Sequence, residues 1–367
     1  MAPGQQAAGP AGTTATASTR PKRVRAQSDY AALAGRLAAA GLMRRRTGYY
    51  VALLLALVAA LTCVAMLFTV LGDSWWQLAT AVLLAFTLAQ FGFLGHDAAH
   101  QQVLSSSRGN SWFARVVSTG VVGLSYGWWT HKHSRHHSAP NQVGRDPDIE
   151  PGALVFTPED ATRRSRPGRW LTAHQGVLFF PYLLLEGLNL HVASLRVLAT
   201  RPDLPWRRLE AGILVVRLGG YLAVVVVVLS PAKAVAFLAV QLALFGLFLG
   251  GAFAPNHKGM PIVPRDVRVD FLRRQVLMSR NIRGGVIVNV LMGGLNYQIE
   301  HHLFPSMPRA SLSRARPIVQ AFCREKEVRY TETSLVSSYA IVVRYLNAVG
   351  MAQSDPFTCP MVQTFRN

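Results

Sequence analysis

The chain has 367 residues, 50% of them hydrophobic, with a mean hydropathy of +0.23, a formal net charge of +20 and a pI near 10.9. Length alone permits one large or two ordinary domains, but the apolar residues gather in runs long enough to cross a bilayer, about 20 residues each. The basic residues lie outside those runs, mostly on one side, and no nucleic-acid-binding motif accompanies them, so a membrane with its positive-inside rule accounts for the charge and a nucleic-acid partner does not.

Residues 1–28 are rich in Ala, Gly, Thr, Gln and Pro and lack an apolar core, so they read as a disordered tail rather than a signal peptide. With the basic flank Arg20, Lys22, Arg23, Arg25 and Arg44 to Arg46 they form a basic N-terminal segment, 1–48. The first apolar run is 49–71; a turn at Gly72-Asp73-Ser74 leads to the interfacial pair Trp75-Trp76 and a returning run, 75–95. Ser111–Trp129 is apolar but broken by Arg115 and by Gly and Ser, which suits an interfacial or protein-buried helix. The stretch 173–199 is amphiphilic, carrying His174, Glu186, Asn189, His191 and Arg196, and is expected at the surface or against the catalytic portion. A second hairpin follows, 211–229 and 232–254, turning at Ser230-Pro231. Arg217 inside it is expected to snorkel to the cytosolic end. A short apolar helix is expected over 286–295. The result is an all-α integral membrane protein of four transmembrane helices in two hairpins, with both termini and the polar portion on the cytoplasmic side. The three cysteines, Cys63, Cys323 and Cys359, form no C-x-x-C or disulfide framework.

The histidines carry the chemistry. His96 and His100 stand at i, i+4; His133, His136 and His137 at i, i+3, i+4; Gln298, His301 and His302 repeat that spacing. On a helix each set shares one face. His257 follows the fourth run directly, at the same membrane depth as His96. Clusters of nitrogen ligands at one depth indicate a polynuclear metal site. Imidazole suits Fe, Cu, Ni or Zn, and eight histidines exceed what one ion takes. Acids are scarce, so Asp97 and Glu300 are the candidate hydrogen-bond partners of ligand rings, with His131 behind them. Asp146-Pro147-Asp148 reads as a turn. His174 and His191 read as structural.

HDAAH, HKHSRHH and QIEHH together resemble the three histidine boxes of the membrane fatty acid desaturase family. WWTHKHSRHHSAPN with RDPD, and LNYQIEHHLFPSMPR with Gln298, are similar to its front-end, linoleoyl-CoA-desaturase-like branch. The resemblance runs over about Leu83 to Glu327. It implies four transmembrane helices under a cytosolic helical cap holding two iron ions. The implied ligands are His96, His100, His133, His136, His137, His257, His301 and His302, with Gln298 a ninth ligand or a hydrogen-bonding neighbour. Asn256-His257 matches an Asn-His pair of the family and places Asn256 beside the centre. The implied reaction removes two hydrogens from a fatty acyl-CoA or acyl-lipid, using O2 and external electrons. The desaturase domain would run over 49–330, with 331–367 a cytosolic extension. With 48 residues before the first run and no His-Pro-Gly-Gly motif, a bacterial type without fused cytochrome b5 is expected, in the bacterial cell membrane and drawing electrons from a ferredoxin or flavin reductase. Competing readings are a hydroxylase, epoxidase or acetylenase on the same scaffold, and a non-enzymatic metal-binding membrane protein. A transporter would need ionisable ligands inside the spans, which are nearly free of them.

Overall fold

The computed structural model describes residues 28–352. Its helices are α1 (Asp29–Ala39), α2 (Thr47–Leu71), α3 (Gln77–Ala99), α4 (Ser107–Arg115), α5 (Tyr126–Ser138), α6 (Pro158–Thr162), α7 (Arg166–Ala173), α8 (Gln175–Thr200), α9 (Arg207–Val228), α10 (Pro231–His257), α11 (Phe271–Leu277), α12 (Val286–Leu291), α13 (Gln298–Leu303), α14 (Arg309–Glu325) and α15 (Leu335–Gly350). One parallel strand pair, β1 (Asn281–Arg283) with β2 (Glu332–Ser334), sets Asn281 opposite Glu332.

The two hairpins form as their apolar runs require, α2 with α3 and α9 with α10. Their turns meet: Asp73 accepts from the Ser230 backbone N–H at 2.8 Å and lies 2.9 Å from Lys233 Nζ. The C-terminal ends of α3 and α10 therefore share the opposite end, where His96 and His257 stand. In its most apolar stretch 67% of α3 is buried, against 17% of α2, so α3 is the inner helix, packed on both α2 and α10. α2 turns Val51, Leu55, Val58, Met66 and Val70 outward.

Five helices among the described residues, α8 included, are long and apolar enough to cross a membrane. The sequence had suggested four such spans. α8 exposes a stripe of Val177, Phe180, Leu184, Leu188, Val192 and Leu195. Its other face is pressed onto α10, where a Cβ on Gly187 would strike the Leu242 carbonyl and one on Gly246 would strike the α8 backbone. Two glycines thus let the helix axes approach closer than any side chain permits.

The apolar stretch 111–129 is not one helix. α4 runs into a π-helical segment, Val116–Val122, which ends at Gly123 with φ 90°. Ser125 then caps α5 by accepting from the Trp128 N–H. Likewise 286–295 is helical only to Leu291, because Gly293 and Gly294 adopt positive φ. Arg217 Nε donates to the Val121 carbonyl at 2.9 Å.

The segment 1–48 is not wholly a tail. Residues 29–39 are α1, which buries Leu33 and Leu37, one turn apart, in a cluster with Leu312, Val319 and Phe322 of α14. The rest of that segment before residue 28 lies outside the described residues. The stretch after 330 is also structured: α15 buries Val342, Tyr345, Leu346 and Val349 with Phe179 and Leu183 of α8. Cys63 is exposed and Cys323 buried, both free; Cys359 lies outside the described residues.

Candidate metal centre

Four elements deliver the ligand candidates to one place. α3 carries His96 in its last turn and has His100 as its C-cap; α5 carries His133, His136 and His137; α10 ends on His257; the short α13 carries Gln298, His301 and His302. The i, i+3, i+4 spacing turns each set inward, as it must on a helix.

The rings divide into two groups. His96, His100, His133, His137 and His301 bring ligand nitrogens within 4.8 Å of one another, and His136, His257 and His302 do the same. In the first group His133 Nε2 lies 3.0 Å from both His100 Nε2 and His137 Nε2. In the second, His257 Nε2 lies 3.4 Å from His136 Nε2 and 2.9 Å from the Gln298 side-chain amide. The groups adjoin, with His137 and His302 stacked at 4.2 Å between centroids.

This donor set fits metal ions. Imidazole nitrogens sharing one ion at about 2.1 Å each stand about 3.0 Å apart when their bonds are at right angles. His96 Nε2, His301 Nε2 and His302 Nε2 are buried with no hydrogen-bond partner among the described residues, a costly arrangement unless something accepts their lone pairs. Burial, then repulsion from neighbouring rings, holds His133, His137, His301 and His302 well below the ordinary histidine pKa, and pulls His100 down to about 3. They are neutral, as ligation requires.

The second group is anchored from behind. His136 Nδ1 donates to Asp146 at 3.0 Å, His257 Nδ1 to the Met278 carbonyl at 3.0 Å, and His302 Nδ1 to Gln275 Oε1 at 3.0 Å. Each acceptor fixes the tautomer that leaves Nε2 free to face inward. Burial opposes charging His136, but Asp146 and Asp148 outweigh it and raise its pKa. Behind the first group, Asp97 lies 3.6 Å from His96 Nδ1 and 2.7 Å from the Arg309 guanidinium.

A cavity of about 340 Å³ opens onto His96, His133, His136 and His257. Gly92, Phe93, Leu249 and Phe253 supply apolar wall; Lys132, Asp148, Glu186 and Lys258 supply charge. Lys132 lies 2.8 Å from Asp148, and Lys258 donates to the Asp148 carbonyl at 2.7 Å.

A fatty acid desaturase family model matches residues 73–334, more than half of the chain. The chain belongs to that family. It is 30% identical over 286 residues to an acyl-lipid (9-3)-desaturase of Physcomitrium patens, covering 76% of this chain and 54% of that protein. It is 28% identical over 293 residues to an acyl-lipid (9-3)-desaturase of Borago officinalis (76% and 65%), and 27% over 285 residues to the Delta(6)-fatty-acid desaturase fat-3 of Caenorhabditis elegans (74% and 64%). The chain thus spans 54% to 65% of the length of these relatives.

In this desaturase-family chain the structure brings together all eight of the expected histidines, and Gln298 with them. Asn256 stands behind Gln298, donating to its Oε1 at 3.3 Å. Asp97 lies beside His96, at 3.6 Å from Nδ1, and its ion pair is with Arg309. Two expectations fail. His131 is exposed, because two residues before His133 the helix has turned its side chain away from the cluster. Glu300, though buried between ligand candidates in sequence, accepts from Asn281 Nδ2 and Tyr330 Oη, each at 2.7 Å, and bonds to no histidine among the described residues. Burial pushes its carboxyl up to about 7. His174 and His191 bond backbone carbonyls of their own helices, apart from the cluster.

Asp146 and Gln275 are the ring partners the sequence did not reveal. Asp146 does form the turn expected of it, accepting from the Asp148 N–H at 2.9 Å, and holds His136 as well. A scarce acid a few residues beyond a histidine pair was the available signal.

Proposed function

We propose that the chain is an oxygen-dependent fatty acyl desaturase with two iron ions. The observation that carries this is the meeting of two groups of buried and half-buried histidines, their ligand nitrogens within 4.8 Å of one another in each group, with one largely apolar cavity. Imidazole suits iron, and no thiolate stands among the donors. One ion would be held by His96, His100, His133, His137 and His301, the other by His136, His257 and His302 with Gln298. Bound iron would supply oxygen activation: overall a CH2–CH2 pair gives up two hydrogens to become CH=CH, and these, with O2, two external electrons and two protons, make two waters.

The protein's own task is placement. Phe93, Leu249 and Phe253 border the cavity beside His96, His133 and His257, so an extended acyl chain lying there presents one methylene pair to the histidines. Lys132 and Lys258 suit the polar end of such a substrate. The two relatives named acyl-lipid desaturases support a lipid-borne chain. Electrons would come from a ferredoxin or flavin reductase docking on the basic face.

In the membrane α2, α3, α9 and α10 would span and α8 would lie along the interface. Glu186, His191 and Arg196 on α8 support this, since an arginine at mid-bilayer costs about 2.5–3.5 kcal/mol. The basic loops beside the histidines would face the cytoplasm.

The test is mass spectrometry of fatty acids from a host expressing the chain with a ferredoxin–reductase pair, with double bonds located by derivatisation. A new unsaturated acid that disappears with His301→Ala is expected. The same acid from His301→Ala would end the reading.

A further inference from the structure

Arg280 is only 1% exposed, yet no carboxylate pairs with it among the described residues. Burying a lone guanidinium is costly unless strong acceptors replace water. Here the acceptors belong to one helix end. Arg280 Nε donates to the Pro255 carbonyl at 2.8 Å, Nη2 to that carbonyl and to that of Lys258 at 2.8 Å, and the backbone N–H to the Asn256 carbonyl at 2.9 Å. These carbonyls close α10, where helical partners run out and the helix dipole is negative.

That last turn lacks one rung of its own ladder, though the Lys258 N–H still donates to the Ala254 carbonyl at 3.0 Å. Pro255 has no N–H to offer the Gly251 carbonyl, which accepts from Tyr339 Oη at 2.7 Å instead. Ser338 Oγ adds a bond to the Pro255 carbonyl at 2.6 Å. His257 hangs from this turn. Its Nδ1 donates to Met278, two residues before Arg280, so the segment 278–280 grips the turn on both sides of the ring.

We propose that Arg280 is a positioning residue for the second histidine group. Its forked guanidinium fixes the last turn of α10 and with it the direction of His257 Nε2. The five-histidine group draws no member from α10, so the effect falls on one metal only. The inference rests on the two-metal reading above.

The test counts metals. Purified full-length protein in detergent, stripped of metal, is titrated anaerobically with Fe(II) alone. Wild type is expected to take up two equivalents. Arg280→Met keeps the first and binds the second about 10–100-fold more weakly. His257→Ala shows the same selective loss, and the double variant loses nothing further, because the ring through which Arg280 acts is already gone. Arg280→Lys keeps the charge without the fork; it gives an intermediate loss, and serves as the reading variant if Arg280→Met does not fold. An unaffected second equivalent in both Arg280 variants overturns the proposal. So does loss of both equivalents from folded protein, or a double variant worse than His257→Ala. A wild type that binds one iron ends the two-metal reading together with this proposal; a two-iron wild type with unaffected Arg280 variants ends the proposal alone.

Discussion

The five-histidine group and the three-histidine group reach the same chemistry by different construction. The first takes His96 and His100 from the end of α3, His133 and His137 from α5, and His301 from α13. Its rings are oriented largely by crowding: His137 Nδ1 has no partner among the described residues and His96 Nδ1 has only Asp97, at 3.6 Å. In the second, all three rings are tied through Nδ1 to an oxygen, supplied by Asp146, Met278 and Gln275. The first group therefore depends on helix packing, the second on the loop at Asp146 and on α11 with its C-cap Met278 closing over it. Loss of a ring from the five-histidine group should be felt by both metals, while loss of His257 or of a ring's supporting partner should be felt by the second group alone.

The largest expected effect breaks the comparison outright. His301 belongs to the first group and its helix neighbour His302 to the second, so His301→Ala should abolish product and iron loading while membrane insertion stays intact. Iron analysis of the membrane-extracted variant checks it, and normal iron content would refute the assignment.

Acid should come next. In the metal-free protein burial lowers the pKa of His100, His133, His137, His301 and His302 beneath the ordinary 6.5. The unfolded chain then binds more protons than the folded one as pH falls through 6.5, so stability drops on acidification, by up to about 1.4 kcal/mol per histidine per pH unit. His136 runs the other way: its raised pKa gives a contribution present below 6.5 and lost as pH rises through the folded value. Glu300, its carboxyl pushed up to about 7, works with His136 against the fall, but five histidines outweigh the two, so metal-free Tm should fall between pH 7 and 5. A flat profile would mean the rings are not buried neutral.

Asp146→Asn sharpens the comparison between the groups. It removes the carboxylate behind His136 while keeping an acceptor, and is expected to weaken the second metal about 10–100-fold and leave the first unchanged. Stepwise Fe(II) titration separates the two.

How much of this was legible follows from the same contrast. The hairpins were readable because a bilayer imposes its thickness on apolar runs: α2 and α10 begin and end within a few residues of the runs 49–71 and 232–254. α8 was harder, since Glu186 and Arg196 interrupt an apolar stripe that only the structure shows to be continuous. The histidines were legible because helical spacing is local. Gln275 and Met278 were not, because they lie 27 and 21 residues from their rings, His302 and His257, beyond any helical spacing, and meet them only once the chain has folded back. Glu300 misled for a related reason: a residue beside a ligand in sequence points about a third of a turn away from it on the helix.

Helix packing offers a smaller test. Gly187→Val places a branched side chain where the Leu242 carbonyl lies. Overpacking of this kind costs about 1–3 kcal/mol, so Tm should fall while metal stoichiometry in the folded protein remains two. Loss of one metal would show that α8 supports a histidine group directly.

The smallest expected effect is that of Glu300→Gln. Glu300 is buried like Asp146, and its sequence neighbour is a ligand candidate, yet its partners are Asn281 and Tyr330. With its carboxyl pushed up to about 7, much of it is already protonated at neutral pH, and glutamine reproduces that neutral form with an acceptor for Asn281 retained. Stability should shift by about 0.5 kcal/mol or less and both metals should stay. Glu300→Ala leaves Asn281 and Tyr330 without their acceptor and should cost about 1–3 kcal/mol, again with both metals retained. Asp146 and Glu300 are thus predicted to separate cleanly: the carboxylate that touches a ring controls metal affinity, and the one that turns from the rings controls only the seating of α13 on β1. If Glu300→Gln released a metal, the distinction between ring-bound and fold-bound acids would collapse.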